Sequence, residues 1–319
     1  MSLSAWIFSA RCSLGVEFNF IYDQSIAFYG FTMKKYTSLA LVLLSAFFST
    51  SSLSHSLDPE SIEQIEFRVS ARIGVAVYDS ATEQTWSYKG DERFPMMSTF
   101  KTLACANLLY DHENEGLYLE SKVGVKSDEL IAWSPMTKAF VGKEISLTGA
   151  CAATMEMSDN TAANIVLAGI DGPNGLTEFL RSIGDRETRL DHIEPDLNHA
   201  RPGDERDTTT PNTMVKTLNE LVYGNVLSEE SKAQLKTWMM DNKVSDGMIR
   251  SILPDGWNIA DRSGAGAYGS RAITAIVWSE TRAPLIISIS LTETELTIQE
   301  RDTVINEIGQ LIFDAYRVQ

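Results

Sequence analysis

Segments with strand alternation lie near both ends of this chain and enclose a long helical middle, and that order limits the folds open to it. Residues 72–78 alternate, with Ile73, Val75 and Val77 on one face, and 84–88 reads as their hairpin partner. Three further stretches, 257–264, 270–279 and 284–291, are rich in Ile, Val and aromatic residues. Between them the pattern is mostly helical from Ser98 to about residue 240, broken by a polar loop over 191–211. A helix over 58–70, with Asp58 as cap and Pro59 in its first turn, precedes the first strand. An amphipathic helix over 297–318 closes the chain, with Val304, Ile305, Ile308, Leu311, Ile312 and Ala315 on one face. Strands so far apart most simply share one antiparallel sheet, flanked by the first and last helices. The expected fold is therefore α/β plus all-α: a sheet part from 55–95 and 241–319, and an inserted helical domain over 96–240. With 44% hydrophobic and 22% charged residues, the chain can bury a core without metal staples.

The start of the chain reads as a leader. Met33-Lys34-Lys35 is a short basic head, Leu39 to Phe48 is apolar but too short to cross a bilayer, and Ser49 to Ser54 is small and polar. Residues 33–54 are expected to be a signal peptide. Residues 1–32, with scattered aromatics such as Trp6, Phe18 and Phe28, read as an extension from a misassigned upstream start. The mature protein is expected to be secreted to the periplasm, free of the membrane and monomeric. A net charge of −16 argues against a nucleic-acid partner. Of three cysteines, Cys12 falls in the leader; Cys105 and Cys151 remain as an even pair. Export favours a disulfide, closing a loop of about 46 residues and worth roughly 4 kcal/mol by loop-closure entropy; the alternative is two buried thiols. The four histidines, His55, His112, His192 and His199, form no zinc-binding pattern, so neither metal nor cofactor is expected.

Four short elements carry possible chemistry. Ser98-Thr99-Phe100-Lys101 puts a hydroxyl and an amine on one helix face, about a turn apart. At a helix N-terminus such a serine is a candidate nucleophile, and a desolvated lysine a candidate base. Alone, a helix cap with a surface lysine is the better explanation of the pair. Ser158-Asp159-Asn160 precedes an apolar helix and doubles as a cap signature. Glu194 and Asn198 in the polar loop can hold a water between them, or be solvated. Arg262-Ser263-Gly264-Ala265-Gly266 leaves room for a ligand beside a strand, and Arg271 on the next strand offers a guanidinium fork.

Together, and in this order, the four elements resemble the motif set of the class A β-lactamases, with support from 159–164 and 204–211. The resemblance runs from about Ser56 to the C-terminus. It implies the penicillin-recognising fold, with the site between sheet and helical domain, and a serine acyl-enzyme route for β-lactam hydrolysis. On that resemblance Ser98 is the nucleophile, and Lys101, or Glu194 through a water, takes its proton. Backbone N–H groups of Ser98 and Ala265 form the oxyanion hole, and Ser158 passes a proton to the leaving nitrogen. Glu194, with Asn198, activates the deacylating water. Asn160, Ser263, Gly264 and Arg271 hold substrate, and Trp133 borders the entrance. Arg262 stands where the family usually has Lys, which resembles the carbenicillin-hydrolysing subgroup and points to penicillins and carboxypenicillins. His192 stands where the family usually has Arg paired with the residue at Asp207; the contact there is either a hydrogen bond held at every pH or a loop clamp whose charge varies with pH. A cell-wall D,D-peptidase and a non-enzymatic β-lactam sensor share parts of this set but lack the Glu194 element.

Overall fold

In the computed structural model, which describes residues 7–11, 17–21 and 57–316, two units separate at Leu53. In the first, β1 (Ile7–Arg11) and β2 (Glu17–Ile21) pair as an antiparallel hairpin. The expected signal peptide over 33–54 lies outside the described residues.

The second unit opens with α1 (Pro59–Val69), where the Asp58 carboxylate accepts the Glu60 N–H at 3.0 Å. Ser70, left-handed at φ 46°, ends the helix and reverses the chain into β3 (Arg72–Asp79) and its partner β4 (Gln84–Tyr88). The short β5 (Phe94–Pro95) leads into α2 (Phe100–Asn114). The helix expected from Ser98 thus begins two residues later. Met97 takes a left-handed φ of 49°, and residues Met97–Thr99 form a 3₁₀ turn before the α pattern settles. The helical middle follows as β6 (Lys122–Gly124), β7 (Glu144–Ser146), α3 (Leu147–Met157), α4 (Asn160–Gly169) and α5 (Gly172–Ser182). After the polar loop come β8 (Thr208–Thr209), paired with β5, then α6 (Pro211–Val222) and α7 (Glu229–Met240). The chain ends with β9 (Trp257–Ala265), β10 (Arg271–Ser279), β11 (Leu285–Thr292) and α8 (Ile298–Tyr316).

The long strands form one antiparallel sheet in the order β4-β3-β11-β10-β9, so the two ends of the chain meet at its centre. Alternation decides which side chains face which layer. Ile73, Val75, Val77, Ile273, Ile287 and Ile289 pack with Ile62 of α1 and Ile305, Ile308 and Phe313 of α8. The opposite face carries smaller residues at the centre, with Gly74 opposite Ser290 and Ala76 opposite Ser288, and α6 lies across β3 and β11 there. Cys105 of α2 and Cys151 of α3 are joined as a disulfide, with Cα atoms 5.8 Å apart, inside the helical core.

One buried ion pair ties the sheet together. Arg282, in the turn between β10 and β11, donates to both oxygens of Asp79 at the end of β3, at 3.0 and 2.8 Å. Burial raises the Asp79 carboxyl, but the Arg282 hydrogen bonds, the Ala81 N–H and the Arg282 charge together outweigh it and hold it below the usual range. Its stabilisation is therefore complete above the unfolded value of about 3.9 and is lost as pH falls through the folded one. Arg282→Met, which strands the carboxylate, should cost about 3–5 kcal/mol in urea unfolding at pH 7. Asp79→Leu combined with Arg282→Met should restore most of that loss. A single variant as stable as wild type would show that the pair contributes nothing.

Candidate active site

The sharp turn at Met97 presents Ser98 against the edge strand β9. Two glycines permit the approach. A Cβ at Gly264 would lie 2.7 Å from the Ser98 backbone nitrogen, and one at Gly266 would lie 2.9 Å from the Asn198 carbonyl. Any side chain at either position would push the strand off the serine or off the loop. Ser98 itself is nearly buried, at 9% exposure.

Lys101, one turn beyond Ser98 in the first turn of α2, is wholly buried. Its Nζ donates to Ser158 O at 2.9 Å, Ser158 Oγ at 3.2 Å and Asn160 Oδ1 at 2.7 Å. It also lies 3.0 Å from Glu194 Oε1 as an ion pair, although the angle is not that of a hydrogen bond. Burial pushes the ammonium down to about 8, and the Glu194 carboxylate opposes that shift. Glu194 Oε1 has no hydrogen-bond donor, whereas Oε2 accepts from Asn198 Nδ2 at 2.6 Å.

Ser158 caps α3 in the left-handed region at φ 56°, which turns its side chain toward Lys101. The neighbouring Asp159 is structural. Its carboxylate accepts from Ala162 N as the cap of α4, and from Met136 N, Thr137 N and Thr137 Oγ1. Asn160 donates its backbone N–H to Trp133 O and its amide to Ala132 O, so the entrance segment is pinned to α4. Trp133 is 59% exposed at φ 62°, with its indole N–H on Met157 O.

A cavity of about 620 Å³ collects these parts. Ser98, Trp133, Ser158, Asn160, Asn198, Arg262, Ser263, Gly264, Ala265 and Arg271 line it, while Lys101 and Glu194 lie beneath its wall. Arg262 is fully buried yet reaches this wall, donating Nη1 to Met155 O and Asn242 Oδ1 and Nε to Ser263 O. Burial pushes its guanidinium down to about 10, which leaves it charged at neutral pH. Arg271 faces Ala265 in the strand register, but much of its fork is engaged: Nε on Asp302 at 2.6 Å, Nη1 on Gly264 O and Nη2 on Met248 Sδ.

The loop carrying Glu194 is held at its neck and its middle. At the neck, His192 Nδ1 lies 2.6 Å from Asp207 Oδ2, and the other Asp207 oxygen accepts the N–H groups of Asp191 and His192. In the middle, the Asn164 side chain accepts the Glu194 N–H and donates to the Glu194 carbonyl, each at 2.9 Å. Sequence reading gave Asn164 no role, nor Asp302 and Asn242. Their partners lie far along the chain, and only the first fell in a stretch, 159–164, that supports the family resemblance.

Residues 60–316 match the Beta-lactamase enzyme family. The chain is 50% identical over 287 residues to Beta-lactamase CARB-3 and to Beta-lactamase PSE-4, both of Pseudomonas aeruginosa, covering 90% of this chain and 99% of each relative. Among solved structures it resembles the chromosome-encoded β-lactamase of Vibrio parahaemolyticus, 53% identical with a TM-score of 0.81, over 82% of this chain and 99% of that one. An ancestral (GNCA) class A β-lactamase is 43% identical with a TM-score of 0.79, over 81% of this chain and 99% of that one.

The opposition between burial and Glu194 at Lys101 has a measurable sign. Glu194→Gln removes the negative charge that favours the ammonium, so the Lys101 transition should move below its starting point of about 8. NMR titration of the lysine Cε resonance in labelled protein reads this directly. An unmoved or higher midpoint would mean that Glu194 does not set the charge of Lys101.

Proposed function

The chain belongs to the β-lactamase enzyme family, as a class A serine β-lactamase that hydrolyses the amide bond of penicillins and so confers resistance, and on that premise we propose how its residues divide the work. The observation that carries the reading is the position of the Lys101 ammonium. It touches Ser158 Oγ and Glu194 Oε1 together, beneath the cavity that Ser98 lines. In acylation, Ser98 Oγ attacks the lactam carbonyl and its proton passes to the Lys101–Glu194 pair. The C–N bond breaks, and the nitrogen takes a proton from Ser158, which Lys101 replenishes. The backbone N–H groups of Ser98 and Ala265 stabilise the oxyanion, a device worth about 10²–10³ in rate per donor. In deacylation, Glu194 takes a proton from water, with Asn198 orienting it. The hydroxide attacks the ester, and Ser98 recovers its proton.

For substrate placement, Ser263 and Arg271 hold the carboxylate common to penicillins, Asn160 binds the side-chain amide, and Trp133 shapes the entrance. Arg262 supports activity on carboxypenicillins, since its planar fork engages a second carboxylate more closely than an ammonium does. Export to the periplasm as a monomer, with 33–54 as a removed leader, completes the reading. No helix among the described residues is long and apolar enough to cross a membrane.

Mass spectrometry after penicillin exposure tests the division of labour. Ser98→Ala should give no acyl adduct. Glu194→Ala should accumulate a stable one, because deacylation suffers more than acylation. An adduct on the first variant, or wild-type turnover by the second, would refute the corresponding role. For specificity, Arg262→Lys should keep penicillin turnover but lower relative kcat/KM for a carboxypenicillin about tenfold, the worth of one charge-assisted hydrogen bond. Equal ratios in the two proteins would contradict the assignment.

A further inference from the structure

The Ser98 cavity faces an electrostatic problem. Penicillins are anions and carboxypenicillins dianions, yet the chain carries 43 acidic against 27 basic residues, a net charge of −16. At long range such a field repels the substrate and slows its arrival. The lining of the cavity reverses the sign. Among the described residues, no aspartate or glutamate lines it, whereas Lys243, Arg262 and Arg271 do. The two arginines are buried and largely committed. Arg262 donates to Met155 O, Asn242 Oδ1 and Ser263 O, and Arg271 is tied to Asp302, Gly264 O and Met248 Sδ. Both are reached only by a substrate already inside.

Lys243 differs. It follows α7, and its side chain is 62% exposed at the wall of the cavity. Its backbone N–H donates to Glu156 O at 2.9 Å, which fixes this segment against the end of α3, and its Nζ pairs with the Glu156 carboxylate. Glu156 does not line the cavity. The pair is therefore a dipole with its positive end at the wall and its negative end away from it. Asp241, two residues back, is the other carboxylate whose charge acts on the ammonium, and it too stays out of the lining. A pair this exposed adds little to stability, so folding alone does not account for a cation at that place.

We propose that Lys243 is the docking cation of the active site. It draws the substrate's carboxylate to the cavity before Arg262 and Arg271 engage it, and so favours dianionic over monoanionic penicillins. The inference rests on the class A reading of the Ser98 cavity. An attraction through solvent scales with the charge of the substrate and fades with salt, because the Debye length falls from about 30 Å at 0.01 M to about 3 Å at 1 M. A lysine in direct contact with one particular carboxylate would be screened far less.

Steady-state kinetics of the purified protein on a penicillin with a neutral side chain and on a carboxypenicillin, from about 0.01 M to about 1 M sodium chloride, test this. At low salt Lys243→Gln should lower kcat/KM about threefold for the dianion and about 1.7-fold for the monoanion, the square root of the first because the charge is halved. The loss should lie in KM rather than kcat, and both losses should disappear near the high-salt end. Lys243→Arg, which keeps the charge, should restore the wild-type salt profile. Glu156→Gln removes the opposing carboxylate and should raise kcat/KM for the dianion about twofold at low salt. An unchanged kcat/KM in Lys243→Gln, an equal loss for both substrates, a loss that survives high salt, or no gain in Glu156→Gln would overturn the docking role. Wild-type protein that turned over neither penicillin would refute the reading of the cavity itself, and the docking role with it; turnover indifferent to Lys243 refutes the docking role alone.

Discussion

An ammonium with no exposure to water governs the architecture around the cavity. Taking a lysine charge out of water costs several kcal/mol after relaxation, so Lys101 must be surrounded by oxygens or lose its proton. Three separate segments supply those oxygens: the carbonyl and hydroxyl of Ser158 at the end of α3, the amide of Asn160 at the start of α4, and the Glu194 carboxylate from the polar loop. Each segment is fixed in turn by something else. Asp159 accepts four hydrogen bonds that lock the junction of α3 and α4. Asn164 grips the Glu194 backbone from both sides. The same charge that makes the site reactive therefore dictates how α2, α3, α4 and the loop must meet.

Much of this was legible in the chain and some was not, for physical reasons. Alternation over 72–78 and the Ile-, Val- and aromatic-rich runs near the C-terminus marked the long strands to within a residue, the latter as continuous apolar runs because β10 and β11 are buried on both faces. The first helix was readable from Asp58 and Pro59, since capping is local. Ser98 and Lys101 were readable only as members of a set; three-residue spacing alone is common on any helix. The late start of α2 escaped notice, because nothing in the residue type of Met97 announces a left-handed backbone. Arg271 was read as an open fork, but Asp302, thirty-one residues further on, occupies its Nε. The partners of Arg262 likewise lie at Met155 and Asn242, one of them 107 residues away, where no local pattern reaches.

The polar loop shows how a long irregular segment can be held to catalytic tolerance. It has little regular structure beyond a short 3₁₀ turn at Asp196–Asn198. Its order comes from side chains gripping backbone: Asp207 accepts two successive N–H groups at the neck, Asp191 accepts the Asp207 N–H in return, and Asn164 holds the middle. His192 adds an imidazole contact at the neck, and Arg189 forks onto Asp191 beside it. Such a loop is stiff where the carboxylate sits and tolerant elsewhere, which suits a residue whose distance to Lys101 matters.

The pairing of β3 with β11 has a consequence for how the chain comes into being. Arg72 lies opposite Thr292, so the central ladder of the sheet joins residues that leave the ribosome far apart in time. Loop closure over such a span is slow, and until it occurs the β3–β4 hairpin has only the two-turn apolar stripe of α1, Ile62 and Ile65, to cover its apolar face. A growing chain therefore cannot settle prematurely into a stable partial structure around its first strands. The topology keeps the chain pliable until its last strand and helix arrive.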